Sequence, residues 1–295
     1  MKCHSNIPTR RHLMWLIVLN RKSGRGKAKK LSQTLISLLD RNEIVYELVD
    51  ESSAVKTSEK IRDLFLTGDF ETLIAIGGDG LVHLCIQEIA LKSINFGVIP
   101  AGTGNDFARC IGVYGKSVAE IFEGYVSYQP KKLDLGRISS PNKIEWFVQV
   151  LSTGFDANVN ALANTFSWPR GKVKYTIATL LILSKFKSIK FAFDIDGVSF
   201  SQQGMLLTVA NGSNYGGGMK ISPNSLNSDG SLDLILVKPV SRLTLLWIFP
   251  RVFSGRHINH PKVNSYSGKR VQISADTSAF ADGEFISLCR SRLRL

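Results

Sequence analysis

The residues best suited to chemistry sit in glycine-rich loops. In Gly77-Gly78-Asp79-Gly80, three glycines surround a carboxylate directly after a strand-like run ending at Ile76. Glycine lets backbone approach a ligand closely, and a carboxylate beside phosphates is tolerable when a divalent cation sits between them. Asp79 is therefore a candidate magnesium ligand, direct or through water, or else a capping residue in an ordinary strand-to-helix loop. A second loop, "LNRKSGRGKAKK", follows another apolar run and opens a basic helix. The backbone N–H groups of Ser23 to Gly26 either face an anion at that helix N-terminus or form a solvated turn. The P-loop spacing G-x-x-x-x-G-K-[ST] is absent. A third loop, "VIPAGTGNDFARCIG", supplies Thr103, Asn105 and Asp106, whose hydroxyl, amide and carboxylate suit a nucleotide or a polar acceptor group. Further on, "NGSNYGGGMKISPNSLNSDGSLDLILV" is glycine-rich and contains Asp229-Gly230, and "AFADGEF" sets Asp282-Gly283-Glu284 between two strand-like runs. Asp-Gly pairs signal hairpins, so each is a turn on the simplest view. Glu284 adds a carboxylate able to project from a rigid sheet toward a cleft.

The elements that must position these loops change character along the chain. Up to Lys132, short apolar runs alternate with helical-period segments, as in β-α units of a mostly parallel sheet. Strands are predicted at Leu16–Leu19, Ile44–Val49, Thr72–Ile76 and Phe96–Ile99, and amphipathic helices at Lys27–Leu39, Ser58–Leu66 and Val82–Ala90. The three loops then open on one edge, beyond the carboxyl ends of the strands, where open parallel sheets bind ligands. Past Lys132 come shorter β-like runs with frequent turns, including "KLDLGRI", "IEWFVQVL", "IKFAFDIDGVSF", "SLDLILVKPV" and "EFISLCR". They predict an antiparallel sandwich or barrel with helices near Val173–Leu183 and Arg242–Phe253. Two domains follow, 1–132 and 133–295, with no internal repeat.

Composition narrows the class. The 295 residues are 44% hydrophobic and 21% charged, which excludes a disordered or fibrous chain. Lys and Arg outnumber Asp and Glu by 37 to 24, giving +13 and favouring anionic company. The scattered cysteines Cys3, Cys85, Cys110 and Cys289 form no C-x-x-C pair, so neither a disulfide framework nor a zinc site is indicated and a reducing cytoplasm fits. The start, "MKCHSNIPTRRHLMWLIVLN", reads as a first strand rather than a signal peptide. "YTIATLLILSKF" falls short of the ~20 residues of a membrane helix.

Together the pieces "LNRKSGRGK", "GGDG", "PAGTGNDFAR", "LDLG", "GFDA", "NYGGGMKISP", "SDGSLD" and "ADGE" resemble, in order and over nearly the whole chain, the diacylglycerol kinase catalytic family. The likeness is strongest to its soluble bacterial lipid kinases, related to sphingosine and ceramide kinases. This resemblance implies an N-terminal three-layer α/β nucleotide domain similar to those of NAD kinase and phosphofructokinase, and a C-terminal β-sandwich. It implies transfer of the ATP γ-phosphoryl group to a lipid hydroxyl with magnesium, first of all diacylglycerol giving phosphatidic acid. By the family pattern Asn20, Arg21, Lys22, Ser23, Gly24, Gly77, Gly78, Asp79, Gly80, Leu81, Val82, His83 and Thr103 line the ATP site, with Asn105 and Asp106 in support. Glu284 is the implied general base. A second, structural magnesium is implied at Asp229, the backbone oxygens of Leu226 and Ser231, and a water linked to Asp134.

The chain departs from that pattern after Gly80. The family usually continues Thr, aliphatic, Asn, Glu, whereas here the run is Leu81-Val82-His83-Leu84, and Arg21 stands where a proline is common. His83 either replaces a lost hydrogen-bonding group or is a surface histidine at a helix start. From Ala157 to Phe193 there is no acidic residue, while Arg170, Lys172, Lys174, Lys185, Lys187 and Lys190 lie among Phe166, Trp168 and Tyr175. Such a segment either rests on anionic headgroups or is a solvated basic face. The expected partners are ATP and a lipid substrate at the membrane surface, without nucleic acid and with room for a homodimer. The expected location is cytoplasmic, peripheral at the inner membrane. The alternatives are another acceptor (phosphatidylglycerol, a polyprenol, a sphingoid base or NAD) and a non-catalytic relative that binds lipid or nucleotide.

Overall fold

A computed structural model describes residues 14–139, 144–168, 177–178, 181–182, 187–288 and 293–295. Arg170, Lys172, Lys174, Tyr175, Lys185, Cys3, Cys289 and most of the helix expected at Val173–Leu183 lie outside these. The chain divides into two compact units. One comprises residues through Gly77 with Leu91–Ala101 and Gly115–Pro130, and the other comprises Gly78–Ala90, Gly102–Tyr114 and Lys131–Leu295.

In the first unit β1 (Met14–Leu19), β2 (Val45–Val49), β3 (Thr72–Gly77) and β4 (Asn95–Pro100) form a parallel sheet in the order β2-β1-β3-β4. Leu16, Ile17, Val18, Leu73, Ile74 and Ile76 are fully buried, which is why β1 and β3 read as unbroken apolar runs. Each such side chain contributes roughly 1.5–3 kcal/mol of burial. The helices of this unit are α1 (Lys27–Arg41), α2 (Ala54–Thr67) and one begun at Val118. Helix α1 buries Ala28, Ser32, Leu35 and Leu39, a helical stripe, and α2 starts earlier than the sequence suggests because the Ser53 hydroxyl caps it through the Lys56 N–H.

The second unit opens with α3 (Asp79–Ile89), which starts three residues before the expected Val82 because Gly78, in extended conformation, is its N-cap. Next comes α4 (Asp106–Cys110). The first unit's remaining helix, α5 (Val118–Ser127), carries a Ser117–Glu120 capping box. After Lys131 the strands are β5 (Gly136–Ser139), β6 (Ile144–Phe147), β7 (Val150–Gly154), β8 (Ile189–Ile195), β9 (Val198–Gly204), β10 (Leu206–Ala210), β11 (Leu232–Val237), β12 (Val263–Gly268), β13 (Val271–Ala275), β14 (Ser278–Ala281), β15 (Glu284–Leu288) and β16 (Leu293–Arg294). They make two antiparallel six-stranded sheets, β12-β11-β10-β7-β14-β15 and β6-β5-β16-β13-β8-β9. Helix α6 (Phe155–Thr165), unforeseen in the sequence, and α7 (Arg242–Val252) also belong to this unit. Strand β11 shows the layering. Leu234 and Leu236 join a core with Phe147, Phe191, Val271 and Ile273, while Ile235 and Val237 join another with Phe155, Val159 and Leu245. Both faces being covered, "LILV" is continuous rather than alternating.

Candidate active site

In the first unit, the carboxyl ends of three strands gather. The Asn20 N–H donates to the Ile76 carbonyl (3.1 Å), and the Ala101 N–H donates to the carbonyl of Gly77 (2.8 Å). Gly24 stands against the Ala101 carbonyl. Ser23 N–H donates to the Asn20 carbonyl (2.9 Å), Lys22 N–H to Asn20 Oδ1 (3.2 Å), and Arg21 pairs with Asp50. Gly24, Arg25 and Gly26 then run in left-handed conformation, φ 59°, 57° and 89°, into α1. A non-glycine residue held there costs on the order of 1–3 kcal/mol, a mark of functional loops. The first turn of α1 has neither a capping side chain nor an acidic residue. An anion suits that N-terminus.

In the second unit, Asp79 caps a helix other than its own. Its Oδ2 accepts the N–H of Asn105 (2.7 Å), and its Oδ1 those of Asp106 (2.7 Å) and Phe107 (3.4 Å), at the start of α4. Asn105, itself left-handed, closes the loop through Gly102: its Oδ1 accepts the Gly102 N–H (2.9 Å) and its Nδ2 donates to the Gly102 carbonyl (2.7 Å). A Cβ on Gly104 would come within 2.5 Å of Asp79 Oδ2, so a side chain there would push that carboxylate off its N–H donors. Asp106 repeats the device, its carboxylate accepting the N–H groups of Gly217 (2.8 Å) and Gly218 (2.7 Å). Those two glycines stand at φ 84° and 102°, where a side chain would be strained. Burial pushes the Asp106 carboxyl up to about 6, with the Asp79 charge adding to the rise and the two glycine N–H groups and Arg109 opposing it. Asp79 is also raised, by burial first, against its three N–H donors.

The turn Asp282-Gly283 is a two-residue hairpin joining β14 to β15, both residues at positive φ. The Asp282 carboxylate points inward: Oδ1 accepts the N–H of Gln149 (2.9 Å) and Val150 (3.1 Å), and Oδ2 that of Val148 (2.9 Å). His83 Nδ1 lies 3.4 Å from the same Oδ2. His83 is 7% exposed, so the surface-histidine alternative is wrong. One turn on, the Gln87 side chain clamps the Trp146 backbone, accepting its N–H (2.9 Å) and donating to its carbonyl (2.8 Å). Leu81 and Val82 are buried, and their N–H groups donate to the Gly78 carbonyl, so neither offers a polar side chain. Glu284 begins β15, exposed, with Oε1 close enough to Gly80 that a Cβ there would lie 3.2 Å away.

These groups share a cavity of about 760 Å³ within the second unit. Asp79, Gly80, Thr103, Asp106 and Glu284 line it, and so do Phe155, Val159, Leu206, Val237, Ile248 and Phe249. Two buried polar side chains on its wall escaped notice in the sequence. Among the described residues Gln149 has no hydrogen-bond partner for either amide atom. His257 donates its Nε2–H to the Ile221 carbonyl (2.9 Å) and leaves Nδ1 unpartnered. No motif flagged either residue, since only folding turns them onto one wall.

Asp134 meets the 226–231 turn: its N–H donates to the Asn227 carbonyl (2.8 Å) and its Oδ2 accepts the Gly230 N–H (2.7 Å). Asp229 Oδ1 accepts the Ser231 N–H (2.9 Å). Each carboxylate keeps one oxygen without a donor among the described residues. No three His, Cys, Asp or Glu cluster among those residues, so a cation here would need backbone oxygens and water as well. That all-oxygen, partly hydrated set fits magnesium.

The comparisons agree with this architecture. The family model for the diacylglycerol kinase catalytic domain matches residues 14–138, and that for the YegS C-terminal NAD kinase beta sandwich-like domain matches 149–294. A diacylglycerol kinase of Mycobacterium tuberculosis (strain ATCC 25618 / H37Rv) is 35% identical over 267 residues, covering 89% of this chain and 86% of its own. One of Staphylococcus aureus (strain MRSA252) is 27% identical over 284 residues, covering 91% and 85%. A crystal structure of a diacylglycerol kinase from Bacillus anthracis str. Sterne, 19% identical, superposes with a TM-score of 0.69 over 96% of this chain and 93% of that one, a likeness of fold. Loops, sheets and relatives agree along nearly the whole length: the chain belongs to the diacylglycerol kinase family and is a diacylglycerol kinase-like lipid kinase.

Proposed function

We propose that this kinase transfers the γ-phosphoryl group of ATP to the hydroxyl of diacylglycerol, giving phosphatidic acid and ADP. The observation that supports it best is the 760 Å³ cavity, where acidic and glycine-rich groups share a wall with apolar side chains. A diacylglycerol needs both, a carboxylate for its hydroxyl and an apolar wall for its acyl chains. Glu284 takes the hydroxyl proton as the acceptor oxygen bonds to the γ-phosphorus and the bond from that phosphorus to the bridging oxygen of ADP breaks. Residues 1–132 act as the ATP-binding domain and 133–295 as the acceptor domain. ATP is held by Asn20, Arg21, Lys22, Ser23 and Gly24, by Gly77 to His83 and by Thr103, with Asp79 and Asp106 fixing the second and third loops. Magnesium, when bound, neutralises phosphate charge, with Asp79 as ligand directly or through water. A structural ion belongs to Asp134, Asp229 and the backbone oxygens of Leu226 and Ser231. The enzyme works in the cytoplasm at the inner membrane face.

Incubation with labelled ATP, magnesium and mixed micelles of diacylglycerol, phosphatidylglycerol, a polyprenol or a sphingoid base, with NAD alongside, tests this. Label in phosphatidic acid is expected. Label in another lipid would overturn the acceptor, and label in NAD alone, or in nothing, would overturn the assignment.

A further inference from the structure

Helix α7 is apolar on two opposite faces. Leu245, Ile248 and Val252 point inward and are buried, and Leu245, Ile248 and Phe249 line the cavity. On the other side Leu243 is 79% exposed, Trp247 53% and Leu246 41%. A helix apolar all round is ordinarily buried or set against a second apolar phase. Here the inner face packs on protein, while among the described residues the outer face stays largely open, the His260 ring lying edge-on to Trp247 (5.8 Å).

The surroundings say what the second phase is. From Leu234 to Ala275 the chain has no Asp or Glu, while Lys238, Arg242, Arg251, Arg256 and Lys262 fall in that stretch. Lys220 joins them at the helix end, its N–H donating to the Val252 carbonyl (2.9 Å), and Lys238 and Lys262 adjoin through a backbone bond (2.8 Å). The Arg251 guanidinium lies 3.1 Å over the Trp247 ring and donates to the Trp247 carbonyl (2.7 Å). Trp and Arg so paired suit a headgroup layer, the ring at the interface and the cation at lipid phosphates. A second protein would have to match both the apolar stripe and the surplus of cations, which an anionic bilayer does unaided.

We propose that the outer face of α7 docks on an anionic membrane surface, seating Leu243, Leu246 and Trp247 at the acyl boundary, so that the lipid acceptor passes along α7 into the cavity its inner face lines. The proposal rests on the lipid-kinase function above and adds the surface by which substrate is reached. It is distinct from the basic segment around Lys187 and Lys190.

The test is vesicle flotation of the full chain without ATP, on phosphatidylcholine alone and on phosphatidylcholine with phosphatidylglycerol. Leu243→Ser/Trp247→Ser and Arg242→Glu/Arg256→Glu alter outward residues that do not line the cavity. Wild type is expected to float with anionic vesicles only. The Ser variant should lose at least about tenfold in partition, and the Glu variant about fivefold for each cation removed, with thermal melts unchanged. Wild-type partition in either variant, or binding indifferent to anionic lipid, overturns the proposal. So does light scattering that shows a dimer dissociated by the Ser substitutions, because the face would then belong to a second copy. The same preparations are assayed with a dispersed short-chain diacylglycerol. Turnover there without vesicle binding refutes the docking alone, and vesicle binding without turnover of any acceptor refutes the function and leaves the docking standing.

Discussion

Asp282→Asn is the most informative single change, because it alters hydrogen bonding and leaves the turn conformation intact. Asn tolerates φ 50° as readily as Asp, so the hairpin keeps its backbone. One acceptor oxygen becomes an N–H₂ group facing the Val148 N–H or those of Gln149 and Val150, and the remaining bonds lose their charge assistance. A charge-assisted bond is worth about 1.5–3 kcal/mol, and a buried donor left unpaired costs about 1–3 kcal/mol. Partial relief of repulsion with Asp79 offsets some of this. The net expectation is about 3 kcal/mol of destabilisation, with Asp282→Ala worse because alanine also resists the left-handed conformation. Urea unfolding followed by circular dichroism measures it as a lower midpoint at constant slope. Since Glu284 stands two residues on, the folded Asn variant should also lose kcat, by up to about 100-fold for a displacement of 1 Å. An Asp282→Asn protein with the wild-type midpoint and wild-type kcat would refute the idea that this carboxylate holds the hairpin from which Glu284 extends.

Other expectations follow from the same contacts. The Asp106 carboxyl, raised from 3.8 to about 6 in the folded chain, binds its proton more tightly folded than unfolded, so it favours folding below pH 4 and loses that advantage as pH rises through 6. The difference in unfolding free energy between wild type and Asp106→Asn should therefore fall across pH 4 to 7 by on the order of 3 kcal/mol, and a flat difference would contradict the buried-charge explanation. Gly218→Ala forces a side chain to φ 102° beside the Arg109 guanidinium and should cost about 1–2 kcal/mol in thermal unfolding. Gln149→Leu removes an unpaired buried amide, so it should raise the melting temperature while raising KM for the lipid acceptor; a lower melting temperature would show that the amide is satisfied.

What the sequence made legible is what depends on local pattern. The parallel strands announced themselves because β1 and β3 are covered on both faces, and the two-domain texture followed from the shift from helical to strand periodicity. Side chains whose meaning depends on distant partners stayed hidden. His83 and Asp282 are 199 residues apart, and the Asp-Gly signal describes the turn without saying that its carboxylate turns inward. Gln87 gives no hint that it will grip the Trp146 backbone. Asp79 was legible as a capping residue, but the helix it caps begins 27 residues later, across a loop closed by Asn105. The run Leu81-Val82-His83-Leu84 departs from the family pattern in sequence, and three of its side chains, Leu81, Val82 and His83, are buried. Those side chains enter the packing of α3, and His83 braces the turn that precedes Glu284.

In the proposed reaction Glu284 deprotonates a lipid hydroxyl at the end of the apolar cavity. Glu284→Gln, assayed for transfer of labelled phosphate from ATP to diacylglycerol beside a nucleotide-binding titration, tests it most directly. Wild-type ATP affinity and melting temperature are expected, with turnover reduced by about 100-fold or more. Undiminished transfer by the folded Gln variant would contradict it.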